Sequence, residues 1–153
     1  MHINGPVQSN VAAQVCESVL RALPDWFGIE AAVIHYIESV QALPTWVVYF
    51  DRVPIGFLAV KQHFPWAAEL YVIGVLPEHH RLGAGRSLVA AAETALREKG
   101  VEYLQVKTLS ASHPDPNYAK TRAFYTAMGF RPLEELTTLW GIENPCMLMV
   151  KKL

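Results

Sequence analysis

The chain is poor in the features that mark several large classes of protein. It has only 2 cysteines in 153 residues. Cys16 falls in a helical pattern and Cys146 in a strand pattern, which is too few for a disulfide framework and the wrong spacing for a metal site. Both are expected as reduced, buried thiols. Charge is sparse too: 18% of residues are charged, the net charge is -1, and Lys and Arg are scattered rather than massed. That argues against a nucleic-acid partner, which would need a broad cationic footprint. No apolar run approaches the roughly 20 residues of a membrane span, so no membrane partner is expected. Met1 to Gly5 carry neither the basic segment nor the apolar core of a secretory signal, and a cytoplasmic location is the expectation. The 6 histidines form no metal set, because His79 and His80 are adjacent and diverge, while His35, His63 and His113 have no carboxylate or cysteine at ligand spacing. No metal is expected.

What the chain does have is apolar residues, 52% of the total, enough for one substantial core, and its length suits a single domain over 1–153. Val11, Val15, Val19 and Ala22 recur at helical spacing after Ser9 or Asn10 as cap, ending at Leu23-Pro24. A second helix reads from Ile29 to Gln41, with Ala32, Val33, Tyr36, Ile37 and Val40 as its stripe. Strands follow over Thr45–Phe50, Ile55–Gln62 and Ala68–Leu76, the first pair joined by a turn at Asp51-Arg52-Val53-Pro54. A long helix from Gly83 to Lys99 turns Leu88, Ala92, Ala95 and Leu96 inward and a Glu93–Arg97 pair outward, and stops at Gly100. Strand Glu102–Leu109 should lie parallel to Ala68–Leu76 through a right-handed crossover. Asp115 and Pro116 open a short helix. Strands near Phe130–Leu139 and Cys146–Lys152 end the chain.

The most informative stretch is Gly74 to Leu88, where an apolar strand enters a basic, glycine-punctuated turn that starts the long helix. Free N–H groups at a helix start, with the helix dipole behind them, suit a phosphate or pyrophosphate. Gly83 and Gly85 let the backbone approach such a group closely. Leu88 stands where a dinucleotide fold would need its third glycine, and no acid lies near Lys107, so that reading fails. Gly85 is followed by Arg86 and Ser87, not by the Lys-Ser/Thr of a nucleoside triphosphate loop.

Downstream, Tyr118 to Phe130 reads as an amphipathic helix closed by Gly129 and followed by a strand. Together the two segments resemble the GNAT acetyltransferase superfamily. Val75 to Leu88 resembles its acyl-CoA-binding motif, and Phe124-Tyr125 with Gly129-Phe130 its later helix and strand. The resemblance spans roughly residues 45 to 150. It implies an α/β (α+β) fold, with a mixed, mostly antiparallel sheet of six to seven strands, splayed near Val75 and flanked by about four helices. It further implies acetyl-CoA as donor: Ile73 and Val75 pairing with the pantetheine amides, the turn of Arg81, Leu82, Gly83, Ala84, Gly85, Arg86 and Ser87 holding the pyrophosphate, and Tyr125 beside the thioester sulfur. Two positions depart from the family pattern. His80 replaces the usual Gln or Arg at the first motif position, and Tyr118 replaces an asparagine.

Acetyl transfer to an amine needs a held thioester, a neutral amine and somewhere for charge to go. Tyr125 is the candidate hydrogen-bond donor to the departing sulfur, since a phenol near 10 is a weaker acid than a thiol near 8.5 and full proton transfer runs uphill. Its alternative is a core tyrosine. Glu69 is the candidate general base, placed by strand alternation on one face with Tyr71 and Ile73. A solvated surface carboxylate is the alternative, and Glu78 competes for the role. Trp26 and Phe27, with Trp140 opposite, are candidate acceptor-site walls, or else core anchors. The expected function is N-acetyl transfer from acetyl-CoA to a primary amine of a small molecule, amino acid or peptide, by direct attack in a ternary complex. The alternatives are a non-catalytic acyl-CoA-binding module and an enzyme acting on a protein or aminoacyl-tRNA. Exposed apolar positions on the last strands would allow a homodimer.

Overall fold

The computed structural model describes residues 1–153. Its elements run β1 (His2–Asn4), α1 (Ser9–Arg21), α2 (Glu30–Val40), β2 (Thr45–Phe50), β3 (Val53–Phe64), β4 (Ala67–Val75), a 3-10 turn (Pro77–His79), α3 (Ala84–Glu98), β5 (Tyr103–Leu109), α4 (Pro116–Ala127), β6 (Arg131–Leu136) and β7 (Cys146–Lys152). The seven strands form one sheet in the order β1-β2-β3-β4-β5-β7-β6, and β4–β5 is its one parallel pair. That pair is the one joined through a helix, α3, as a crossover requires. β1 is an element that the sequence pattern missed: three residues are too short to show alternation, and only pairing with Val47 to Tyr49 makes them a strand.

Each face of the sheet carries its own core. On one face α1 packs with α2 over Val47, Phe57, Ala59 and Val72. On the other, Leu88, Val89, Ala92 and Leu96 of α3 meet Leu58, Val60, Leu70, Leu104 and Val106, joined by Tyr125 and Met128 from the end of α4. Cys16 and Cys146 are both buried and free. The turn between β2 and β3 is made by Asp51 and Arg52 alone, both at positive φ (49° and 67°), while Val53 and Pro54 already belong to the strand. Two left-handed residues match the twist of the flanking strands, as a two-residue hairpin requires.

Helix ends follow the local chemistry. Asp115 caps α4 by accepting from the N–H groups of Asn117 and Tyr118, with Pro116 in the first turn. α1 begins without a side-chain cap, Gln8 standing where Ser9 or Asn10 was expected to act. Glu93 corrects another expectation. It is buried, not outward: the Lys151 ammonium of β7 lies 2.5 and 3.0 Å from its two oxygens and also donates to the Met128 carbonyl. Arg97 reaches Glu93 only at 3.4 Å from the exposed side. The pair stitches α3 to β7 and to the end of α4.

The feature that shapes the functional site is an irregularity in β4. Ala59 pairs with Val72 and Val60 with Leu70, so Tyr71 is an extra, bulged residue. β4 and β5 pair only from Ala67–Leu70 against Tyr103–Val106. Beyond the bulge the two strands part, and the sheet opens at its middle.

Candidate active site

A cavity of about 1320 Å³ occupies this opening, running from the start of α3 and the face of α4 to the loop before α2. At one end lie Arg81, Gly83, Ala84, Gly85 and Arg86; at the other, Glu69, Tyr36, Tyr71 and Lys107; between them stand Ile73, Val75, Thr108 and Tyr125. Leu82 and Ser87, expected in the turn, do not line it.

The helix start is chemically open. The Ser87 N–H is spent on the Gly83 carbonyl at 3.0 Å, whereas the N–H groups of Ala84, Gly85 and Arg86 make no bond within the protein. Three free donors at the positive end of a 15-residue helix, flanked by two guanidinium groups, form an anion site. The glycines divide their labour differently from expectation. Gly83 has φ 86° and open space where a side chain would stand, while a Cβ on Gly85 would sit 3.1 Å from the Phe124 ring. Gly83 serves the turn; Gly85 serves the close approach of α4.

Along the parted strands, β4 past Leu70 has no partner on its β5 side. Val75 is a partial exception, because its carbonyl accepts a 2.7 Å hydrogen bond from the ring Nε2 of His80. That bond gives His80 a positioning role for the turn. Trp26 stacks edge-on against the same ring at 5.8 Å.

Trp26 is both wall and anchor. Its Nε1 donates to Thr121 Oγ1 at 3.0 Å, and the Tyr118 hydroxyl donates to its carbonyl at 2.7 Å. Both partners belong to α4, so Tyr118, the residue that departs from the family pattern, straps the loop before α2 over the cavity. Burial pushes the Tyr118 phenol up to about 12, and it remains a donor. Phe27 packs edge-on against Tyr36, and Tyr36 against Tyr71. Trp140 lines the cavity from the loop between β6 and β7 and is 42% exposed.

Tyr125 is 5% exposed, lines the cavity, and has no hydrogen-bond partner in the protein for its hydroxyl. Burial is the main cause that raises its pKa well above the ordinary tyrosine value. Thr108 on β5 is likewise buried with an unpaired hydroxyl.

Glu69 is 5% exposed, and one of its oxygens, Oε1, receives every partner: His63 Nε2 at 2.7 Å, Gln105 Nε2 at 3.2 Å and Lys107 Nζ at 3.4 Å. The second oxygen has no protein partner. The bulge corrects the expected alternation: Glu69 and Tyr71 stay on the α1–α2 side, whereas Ile73 packs on the α3 side. A second irregularity, in β3, brings His63 onto the same carboxylate although the histidine is exposed at the surface. His63 is itself the bulged residue between Gln62↔Ala68 and Phe64↔Ala67, and that irregularity turns it onto Glu69. Neither bulge leaves a mark in the residue pattern, which is why His63, Gln105 and Lys107 were missed. Glu78 is exposed in the 3-10 turn and does not line the cavity.

Comparisons with known proteins place the fold. The family model described as the Acetyltransferase (GNAT) family matches residues 13–130. A crystal structure of a GNAT-family acetyltransferase from Desulfovibrio desulfuricans superposes with a TM-score of 0.84 at 19% identity, covering 99% of this chain and 98% of that one. An aminoglycoside 6'-N-acetyltransferase complexed with coenzyme A gives 0.78 at 18% identity, over 99% and 97%. The PaiA N-acetyltransferase from Thermoplasma acidophilum, also with coenzyme A, gives 0.74 at 18%, over all of both chains. At these identities the likeness is one of fold. None of the curated proteins matches the sequence.

Proposed function

Because the chain belongs to the acetyltransferase (GNAT) family, we propose that it transfers an acetyl group from acetyl-CoA to a primary amine by direct attack, with donor and acceptor bound together. The observation that carries this reading is the continuity of one cavity. It joins an open helix start, through a parted pair of strands, to a buried carboxylate with a free oxygen.

The residues present suit a CoA thioester. The free N–H groups of Ala84, Gly85 and Arg86 and the side chains of Arg81 and Arg86 would hold the pyrophosphate. The unpaired edge of β4 around Ile73 would hold the pantetheine amides, and the N–H side of Val75 remains the candidate polariser of the acyl carbonyl. The donor, when bound, supplies an activated acyl group on a thiol leaving group. The chain's own residues do the rest. Tyr125 donates a hydrogen bond to the departing sulfur, and because its phenol is held above the usual range it does so without giving up its proton. Glu69 takes the proton of the attacking amine on the oxygen left free by His63, Gln105 and Lys107. Trp26, Phe27 and Trp140 wall the acceptor end and exclude water from it.

The test is amine-dependent release of CoA thiol across a panel of small amines, amino acids and peptides. Tyr125→Phe is expected to lower kcat by about 10- to 100-fold, the value of one hydrogen bond to a charged group, with the KM for acetyl-CoA little changed. Acetyl-CoA binding by calorimetry without release for any amine would overturn the transferase reading in favour of a binding module.

A further inference from the structure

The charge inventory of the cavity narrows the acceptor, given the transferase reading above. Glu69 is the only acid that lines it. Arg81, Arg86 and Lys120 line the end that faces α3 and α4. At the acceptor end, Lys107 comes in from β5 beside Glu69, and the one hydrogen bond its ammonium makes within the protein is the 3.4 Å approach to that carboxylate. An ammonium has three donors, so two point elsewhere, and its side chain is 29% exposed.

A polycationic acceptor fits this site poorly. Each additional ammonium is costly to bring out of water unless a carboxylate meets it, and Glu69 already answers to Lys107. Nothing else in the lining could neutralise a second or third cation. The walls are instead aromatic, with Trp26, Phe27, Tyr36, Tyr71 and Trp140 offering flat apolar surface.

We propose that the acceptor is a primary monoamine with an apolar or aromatic body and a carboxylate beside the amine, as in a bulky apolar amino acid. The amine addresses the free oxygen of Glu69, and the carboxylate pairs with Lys107. Acyl transfer then forms the amide N–C bond and breaks the thioester C–S bond, whose electron pair leaves on sulfur as CoA thiolate hydrogen-bonded by Tyr125, while the amine proton passes to Glu69. The adjoining Glu69–Lys107 pair is the charge complement of an amino acid's own ammonium and carboxylate.

The experiment measures kcat/KM by CoA-thiol release for L-phenylalanine, phenethylamine and the aminoglycoside tobramycin, in the native chain, Lys107→Met and Lys107→Arg. Phenylalanine is expected to exceed tobramycin by tenfold or more, on the order of one charge-assisted hydrogen bond. The ratio of phenylalanine to phenethylamine should fall about tenfold in Lys107→Met and be kept in Lys107→Arg. Being a ratio within one variant, it cancels general damage to the fold. Preference for tobramycin, or a ratio unmoved by Lys107→Met, overturns the inference. Release with other amines but none with phenylalanine overturns it too and leaves the transferase reading standing, whereas release with no amine at all overturns both.

Discussion

Glu69 carries three donors on one oxygen, and this asymmetry decides what the residue can do. A carboxylate with both oxygens paired would be a structural anchor; one oxygen paired and one facing a cavity is oriented and still able to accept a proton. Glu69→Gln keeps the shape and removes the basicity, so kcat should fall by about 10² to 10⁴ with the KM for acetyl-CoA nearly unchanged. An unaltered kcat would show that the amine loses its proton elsewhere. His63 does not line the cavity and touches Glu69 from behind, which makes it a positioning residue. His63→Ala should lower kcat about tenfold, the cost of one hydrogen bond to a charged group. His63→Gln, which still offers a donor to Oε1, should restore most of that loss, with the KM for acetyl-CoA unchanged in both variants. A change confined to thermal stability would assign His63 a purely structural part.

Among the elements, α3 depends on a buried ion pair as well as on its apolar face. Glu93 and Lys151 are 7% and 20% exposed at the side chain, and truncating Lys151 leaves the buried carboxylate with only the 3.4 Å approach of the exposed Arg97. Lys151→Met is therefore expected to destabilise the fold by about 3–5 kcal/mol in urea titration, while Glu93→Leu with Lys151→Met restores most of the loss. Equal destabilisation by single and double variants would mean that the site depends on shape and not on charge. The same pair shows the reach of the sequence. The span of α3, its glycine punctuation, the Asp115-Pro116 start of α4 and six of seven strands were legible, because periodicity and turn chemistry are local. The direction of Glu93 was not: a Glu four residues before an Arg reads as a solvated helix pair, and the lysine that buries it lies 58 residues away. The open start of α3 was legible in the same way, since glycines and arginines at a helix start announce free N–H groups. The surroundings of Glu69 were not, because both bulges, at Tyr71 and His63, arise from strand pairing.

For the molecule as a whole, two cores on opposite faces of a sheet that opens at its centre put several weak acids where ionisation is costly. Cys16 is fully buried on the α1–α2 side, where burial and then the neighbouring Glu17 raise its thiol from 9.0 to about 12. Tyr118 and Tyr125 are raised by burial on the cavity side. Above pH 9 the unfolded chain gives up the Cys16 proton while the folded chain keeps it. The unfolded state then binds fewer protons, and stability declines with rising pH until the folded thiol ionises near pH 12. Between pH 7 and pH 10.5 this group alone should remove about 2 kcal/mol, 1.5 pH units above the unfolded thiol at about 1.4 kcal/mol each. The tyrosines act only above about pH 10 and act equally in any Cys16 variant. Cys16→Ala should therefore start less stable at pH 7, by the small cavity that it leaves, yet lose about 2 kcal/mol less than the native chain on going to pH 10.5. Urea titrations of both proteins at the two pH values decide the point. Parallel losses would mean that Cys16 ionises as readily in the fold as out of it, and that the α1–sheet interface admits water.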